Sequence, residues 1–181
     1  MVLSVGVIQT RKNTINALAA LALLSPKYRL VLCGGEGYGA KAVFDYIRAA
    51  GLESRVIYLG YAPPDRLPVL YQAASVFLFP SLEEGFGIPV LEAMAHRLPV
   101  VTSQTSSLPE VGGDAALYVD PHDRADIADK VVRAVEDANV RNDLIRRGRE
   151  RAQKFTWRRA AERTCEVYEE VLSEPRQSSD G

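Results

Sequence analysis

The apolar run at residues 73–79 ends at a proline, and the stretch that follows constrains the chain more than any other: PSLEEGFGIPVLEAMAH, residues 80–96. A run closing in Val-Phe-Leu-Phe reads as a buried strand. Pro80 and Ser81 break it. Gly85 and Gly87 flank Phe86, and Pro89 suits the first turn of a helix, where a missing amide hydrogen costs nothing. Residues 90–96 continue that helix, with Leu91, Met94 and Ala95 free to pack. Strand, glycine loop and helix start thus fall in succession. They direct backbone N–H groups and the positive end of a helix dipole at one point, where an anion can sit. Glu84 and Glu92 stand on either side of the loop, and carboxylates accept hydrogen bonds from hydroxyls. The combination points to a phosphorylated, hydroxyl-rich ligand. The alternative is an ordinary turn and cap, since helix starts favour Glu for dipole reasons alone.

The rest of the chain supplies the frame. Apolar runs at 2–8, 28–33, 55–59, 75–79, 98–102 and 115–119 read as strands. Helical patterns follow at 14–24, 40–50, a short one after Pro63-Pro64-Asp65, 90–96, one turn at 108–111, then 125–136, 140–153 and 156–172. Strand then helix, repeated about six times, predicts an α/β Rossmann-like three-layer sandwich around an open, mostly parallel six-stranded sheet. Such sheets bind ligands beyond the carboxyl ends of their strands, where the strand order reverses.

Several segments lie just past a predicted strand and converge on that rim: Arg11 and Lys12, the loop from Gly34 to Gly37, Gly60 and Tyr61, the Glu84 loop, and the polar loop at 103–107. Two cations at a helix start oppose the dipole. A bound phosphate would justify them, and a solvated surface pair is the plainer alternative. The Gly34 loop is either a loose dinucleotide-type turn or a compact turn. Asn13 and Thr156 suit N-caps, and Ser106 or Ser107 suits a cap better than a phosphate contact. Trp157 beside Phe155 reads as a packing anchor. The arginines at 146, 147, 149 and 151 read as a solvated face, and His96 as local packing or solvent.

Composition narrows the class. The chain has 181 residues, 47% of them hydrophobic, enough for one domain with a sizeable core. With 22 basic and 23 acidic residues nothing calls for nucleic acid. Two distant cysteines, Cys33 and Cys165, argue against a disulfide framework or a metal cluster and fit a reducing, cytoplasmic setting. Neither a signal peptide nor about twenty consecutive apolar residues is evident. One globular unit at 1–172 and a flexible polar tail at 173–181 are expected.

PSLEEGFGIPVLEAMA, followed by LPVVTSQTSSLPEVGGDAALYVDP and preceded by VGVIQTRKN at 5–13, resembles the C-terminal donor-binding domain of retaining GT-B glycosyltransferases of the glycosyl transferases group 1 (family 4) type. The resemblance runs from about Leu3 to the last helix. It implies that Arg11 and Lys12 hold the donor diphosphate and that Glu84 faces the donor sugar. It implies that the Gly85, Phe86, Gly87 and Ile88 backbone contacts sugar hydroxyls and phosphate, and that Glu92 accepts from the ribose hydroxyls. Gly60 and Tyr61 lie where relatives wrap the base, and Leu108 where they line the phosphate end. Many relatives carry an arginine just after the strand-one glycine; this chain has Val7.

The activity implied is transfer of a hexosyl group, with a lean to mannosyl, from a GDP- or UDP-linked sugar to a sugar, polysaccharide or lipid hydroxyl. It would proceed with retention and without a metal or other cofactor. The N-terminal acceptor domain is expected to be missing from this chain, leaving the isolated domain inactive. The last helix would then expose an apolar face for a dimer, and the intact protein would meet a membrane only peripherally, through the missing domain. Three alternatives stay open: a nucleotide-sugar epimerase, a dinucleotide oxidoreductase domain, and a non-catalytic nucleotide-binding or assembly module.

Overall fold

The computed structural model describes residues 1–173. Six strands form one sheet: β1 (Val2–Val5), β2 (Leu30–Cys33), β3 (Val56–Gly60), β4 (Val76–Phe79), β5 (Val100–Ser103) and β6 (Ala116–Val119). Their order is β3-β2-β1-β4-β5-β6, and every neighbouring pair is parallel. The order reverses between β1 and β4. Ligands of doubly wound sheets bind beside such a reversal, and the loops after these two strands are the ones that carry the cations and the Glu84 motif.

Alternation along the strands splits the core in two, because successive side chains face opposite ways. Val2, Leu30, Leu32, Val76 and Leu78 meet helices α1 (Thr14–Leu23), α2 (Ala40–Ala49) and α6 (Arg124–Glu136) through Leu18, Leu21, Val43, Ile47, Ile127 and Val131. Leu3, Val31, Phe77 and Phe79 meet the other layer: α3 (Leu67–Ala73), α4 (Ile88–Ala95) and the single turn α5 (Leu108–Gly112), through Tyr71, Val90, Met94, Leu108 and Val111. Helix α7 (Ala138–Ala152) crosses α4 closely. A Cβ at Gly148 would sit 3.2 Å from Met94 Cγ, so this position needs a residue no larger than glycine or a shifted neighbour.

Strand ends differ from the expected runs. β1 stops at Val5, three residues early. Beyond it the chain passes hard against the Gly34 loop: Gly6 N–H donates to Cys33 O, Ile8 N–H to Gly35 O and Gly37 N–H back to Ile8 O. Gly34 has φ +149°, and a Cβ there would lie 2.0 Å from Gly6 O. Its glycine therefore serves a backbone-to-backbone approach, as in the compact-turn reading.

Four local expectations are corrected. Asn13 stands at the N-cap position of α1 but in a left-handed conformation, with no side-chain cap bond. Ser107 precedes α5 without capping it. Trp157, the first residue of α8 (Trp157–Ser173), is 85% exposed and anchors nothing. Arg151 leaves the solvated row: its Nε donates to Val111 O at 3.0 Å and its Nη2 to Glu110 O. It thereby meets the carbonyls that a terminating helix leaves unpaired. Thr156 does cap, accepting from Arg159 N–H at 3.2 Å. Every residue of α8 is exposed, Val167, Tyr168, Val171 and Leu172 among them. Cys33 is buried, Cys165 exposed, and the two are unpaired. Apart from Ser173, the expected tail lies outside the described residues. Among the described residues no helix is long and apolar enough to cross a membrane.

Candidate functional site

The loop after β1 tightens into a 3-10 turn at Thr10–Lys12, closed by Asn13 N–H on Thr10 O. That turn faces the loop after β4. The two backbones meet where Leu82 N–H donates to Arg11 O at 2.8 Å. Asn13, turned by its φ of 57°, spends its side chain on both flanks, donating to Pro80 O (2.9 Å) and Pro121 O (2.7 Å). A buried amide that bridges three loops fixes where the preceding cations stand.

Those cations converge on one carboxylate. Lys12 Nζ lies 2.5 Å from Glu84 Oε1, and Arg11 Nη1 lies 3.0 Å from Glu84 Oε2 while also donating to Glu83 O at 2.9 Å. The Lys12 ammonium sits 4.6 Å from the centre of the Phe79 ring, in range for a cation–π contact. The Glu84 side chain is only 8% exposed. Burial pushes its pKa up, but hydrogen bonds from Lys12 and Arg11, with the Ser81 hydroxyl close by, outweigh burial and hold it below the usual carboxylate value. Ser81 Oγ itself is buried and lacks a partner of full hydrogen-bond geometry among the described residues.

The serine loop clamps this segment from the far side. Ser106 Oγ accepts from Glu84 N–H at 3.0 Å, and Ser107 Oγ lies 3.0 Å from both Glu84 O and Phe86 O. Thr105 and Ser103 bond to Ser81 O. The serines expected as caps thus hold the Glu84 loop in place. Gly87 turns the chain into α4 at φ +104°, and a Cβ there would lie 2.8 Å from Leu108 Cδ2. Leu108 is fully buried beneath that glycine. Phe86 and Ile88 remain half exposed, and Phe86 meets Phe155 edge-on at 5.9 Å. The N–H groups of Gly85, Phe86, Gly87 and Ile88 have no acceptor among the described residues.

Glu92 lies one turn into α4 in different company. Tyr71 OH donates to Glu92 Oε2 at 2.8 Å, His96 stacks on the Tyr71 ring at 5.2 Å, and His96 Nδ1 is 2.8 Å from Glu92 O. Burial, then the Glu92 carboxylate, raises the Tyr71 pKa. No hydrogen bond or ion pair among the described residues joins Glu92 to Arg11, Lys12 or Glu84. Gly60 ends the edge strand β3 and Tyr61 follows it. Gly60 O accepts from Gly34 N–H at 2.7 Å, and Tyr61 is 73% exposed. Tyr71, Asn13 and the clamping serines were missed as site residues. A tyrosine in an apolar helix stripe was the only available signal, since a buried phenol hydroxyl needs a partner. Among the described residues no cluster of three or more His, Cys, Asp or Glu could hold a metal ion.

The family model for glycosyl transferases group 1 matches residues 1–151. The chain is 38% identical over 170 residues to the O-antigen chain mannosyltransferase B of Escherichia coli, covering 92% of this chain and 45% of that protein. It spans less than half the length of that and the other curated relatives. Among solved structures, sucrose-phosphate synthase from Thermosynechococcus elongatus superposes with a TM-score of 0.83 at 28% identity, over 94% of this chain and 45% of that one. The C-terminal domain of the group 1 family protein LpcC from Francisella tularensis superposes with a TM-score of 0.74 at 26% identity, over 84% of each chain. By its sequence this chain belongs to the glycosyl transferases group 1 family, and its fold is that of the C-terminal domain of a GT-B glycosyltransferase.

Proposed function

We propose that this chain binds a nucleotide diphosphate sugar at the rim between β1 and β4 and serves a longer enzyme that transfers a hexosyl group to a hydroxyl. One observation carries the reading: Arg11 and Lys12 come together beside a glycine loop whose N–H groups, at the start of α4, have no acceptor among the described residues. Two cations and a helix N-terminus suit a diphosphate. In this reading the diphosphate takes Arg11 and Lys12 from Glu84, which then accepts from the donor sugar. The Gly85–Ile88 backbone contacts phosphate and sugar, Glu92 accepts from the ribose diol, and Gly60 and Tyr61 border the base. Leu108 acts only from beneath, by supporting Gly87.

Transfer breaks the bond from the sugar's anomeric carbon to the diphosphate oxygen and forms one to the acceptor oxygen on the same face, the acceptor's hydroxyl proton leaving to the departing diphosphate. Arg11, Lys12 and the α4 dipole stabilise the charge left on the diphosphate, so the reaction needs no metal. Support for a mannosyl donor is the 38% identity to a protein named a mannosyltransferase. The acceptor, a sugar, polysaccharide or lipid, would be held by a further domain, and cytoplasmic residence goes with an NDP-sugar supply.

Calorimetry with UDP, GDP, ADP, dTDP and their sugars, with and without magnesium, tests the proposal. Micromolar to millimolar binding of one nucleotide, unchanged by chelation, is expected. Equal weak binding of all four turns the reading to a non-catalytic module, and strict magnesium dependence removes the metal-free mechanism.

A further inference from the structure

We infer that Tyr71 is a positioning residue that sets the Glu92 carboxylate for the nucleotide's ribose. The inference rests on the reading of Glu92 as the acceptor for the ribose diol.

Tyr71 lies in α3 and is 1% exposed. Its ring is held between Phe77, edge-on at 5.7 Å, and His96, stacked at 5.2 Å. Phenylalanine would fill the same space without a buried hydroxyl that must be satisfied. The hydroxyl is directed instead at Glu92 Oε2, 2.8 Å away. Among the described residues that is the only hydrogen bond to the Glu92 carboxylate, and Oε1 is left without a protein partner.

A glutamate at a half-open helix position otherwise samples several rotamers, and ordering it on binding costs affinity. The phenol settles that in advance. One oxygen is pinned, with a lone pair still open, and the other is vacant. A vicinal diol brings two O–H donors, and the lone pairs left on this carboxylate are enough to take both. His96, one helical turn after Glu92, closes the arrangement by covering the Tyr71 ring and contacting Glu92 O. A merely structural tyrosine would support all ligands alike. A positioning one bears only on ligands that carry the diol.

The test compares wild type, Tyr71→Phe and Glu92→Gln for binding of UDP and GDP and of their 2′,3′-dideoxyribose counterparts, with thermal melting to confirm folding. Wild type is expected to prefer the ribose form, by roughly tenfold or more, as befits hydrogen bonds to a charged acceptor. Tyr71→Phe is expected to weaken the ribose form about five- to tenfold and to leave the dideoxy form unchanged. Glu92→Gln is expected to erase most of the preference. If Tyr71→Phe keeps the wild-type preference while Glu92→Gln loses it, the Tyr71 role is refuted and the ribose role of Glu92 stands. Equal weakening of both forms by Tyr71→Phe also refutes it, leaving a structural residue. If wild type shows no preference, or neither nucleotide binds, the reading beneath the inference fails with it.

Discussion

Glu84 and Glu92 belong to one short motif, yet the fold gives them opposite surroundings. Glu84 is buried against two cations, and its charge is already neutralised. Glu92 is met by a neutral phenol, and its other oxygen has no partner among the described residues. An anionic ligand competes for what holds Glu84 but does not disturb what holds Glu92. If a nucleotide diphosphate binds as proposed, one acid changes partners and the other stays where it is.

Removing both cations should separate the two acids most sharply. Arg11→Ala with Lys12→Ala is expected to weaken nucleotide diphosphate binding by roughly 100-fold or more, since charge-assisted contacts contribute about 1.5–3 kcal/mol each. A titration showing less than a fivefold loss would mean that the diphosphate sits elsewhere. Glu92→Ala comes next, with about a tenfold loss for free nucleotide and sugar nucleotide alike. Glu84→Ala should do the reverse. It frees Arg11 and Lys12, so free nucleotide binds as well as before or better, while the sugar nucleotide loses part of its advantage. Equal losses for both ligands in both variants would erase the distinction.

Acid should find the pairs around Glu84. Burial works against its charge, but Lys12 and Arg11 hold its folded-state pKa below the usual carboxylate value. A depressed carboxylate contributes stability that is full above the unfolded value and is lost as pH falls through the folded one. Urea unfolding from pH 6 to pH 3 should therefore show a steeper loss below about pH 4.5 for wild type than for Glu84→Gln. The smallest effect belongs to the serine clamp. Ser107→Ala, which removes a donor to Glu84 O and Phe86 O, should cost about 1 kcal/mol in unfolding free energy. It should leave the Glu92 side of the site untouched, as ribose preference would report.

Much of the frame was legible in the residues. Apolar runs separated by helical periods are a local signal, and β1 to β6 lie where those runs fall. Arg11, Lys12 and Glu84 were readable as a group because each follows a strand and a parallel sheet carries all such positions to one rim. What misled was side-chain employment. Asn13 looked like a cap, yet its amide holds two other loops. Arg151 looked solvated among neighbouring arginines, but it reaches carbonyls about forty residues away in sequence, at the end of α5. Trp157 looked like an anchor because large aromatics are usually buried, and helix α8 found nothing among the described residues to pack on.

The sequence by itself determined the alternation, the strand faces and the glycine positions, since periodicity and backbone freedom are properties of neighbours along the chain. Tertiary structure alone decided which acid meets which partner. Residues 12 and 84, or 71 and 92, become neighbours only when β1 is laid beside β4 and α3 beside α4. The energy of a buried charge or hydroxyl depends on what that packing brings within about 3 Å.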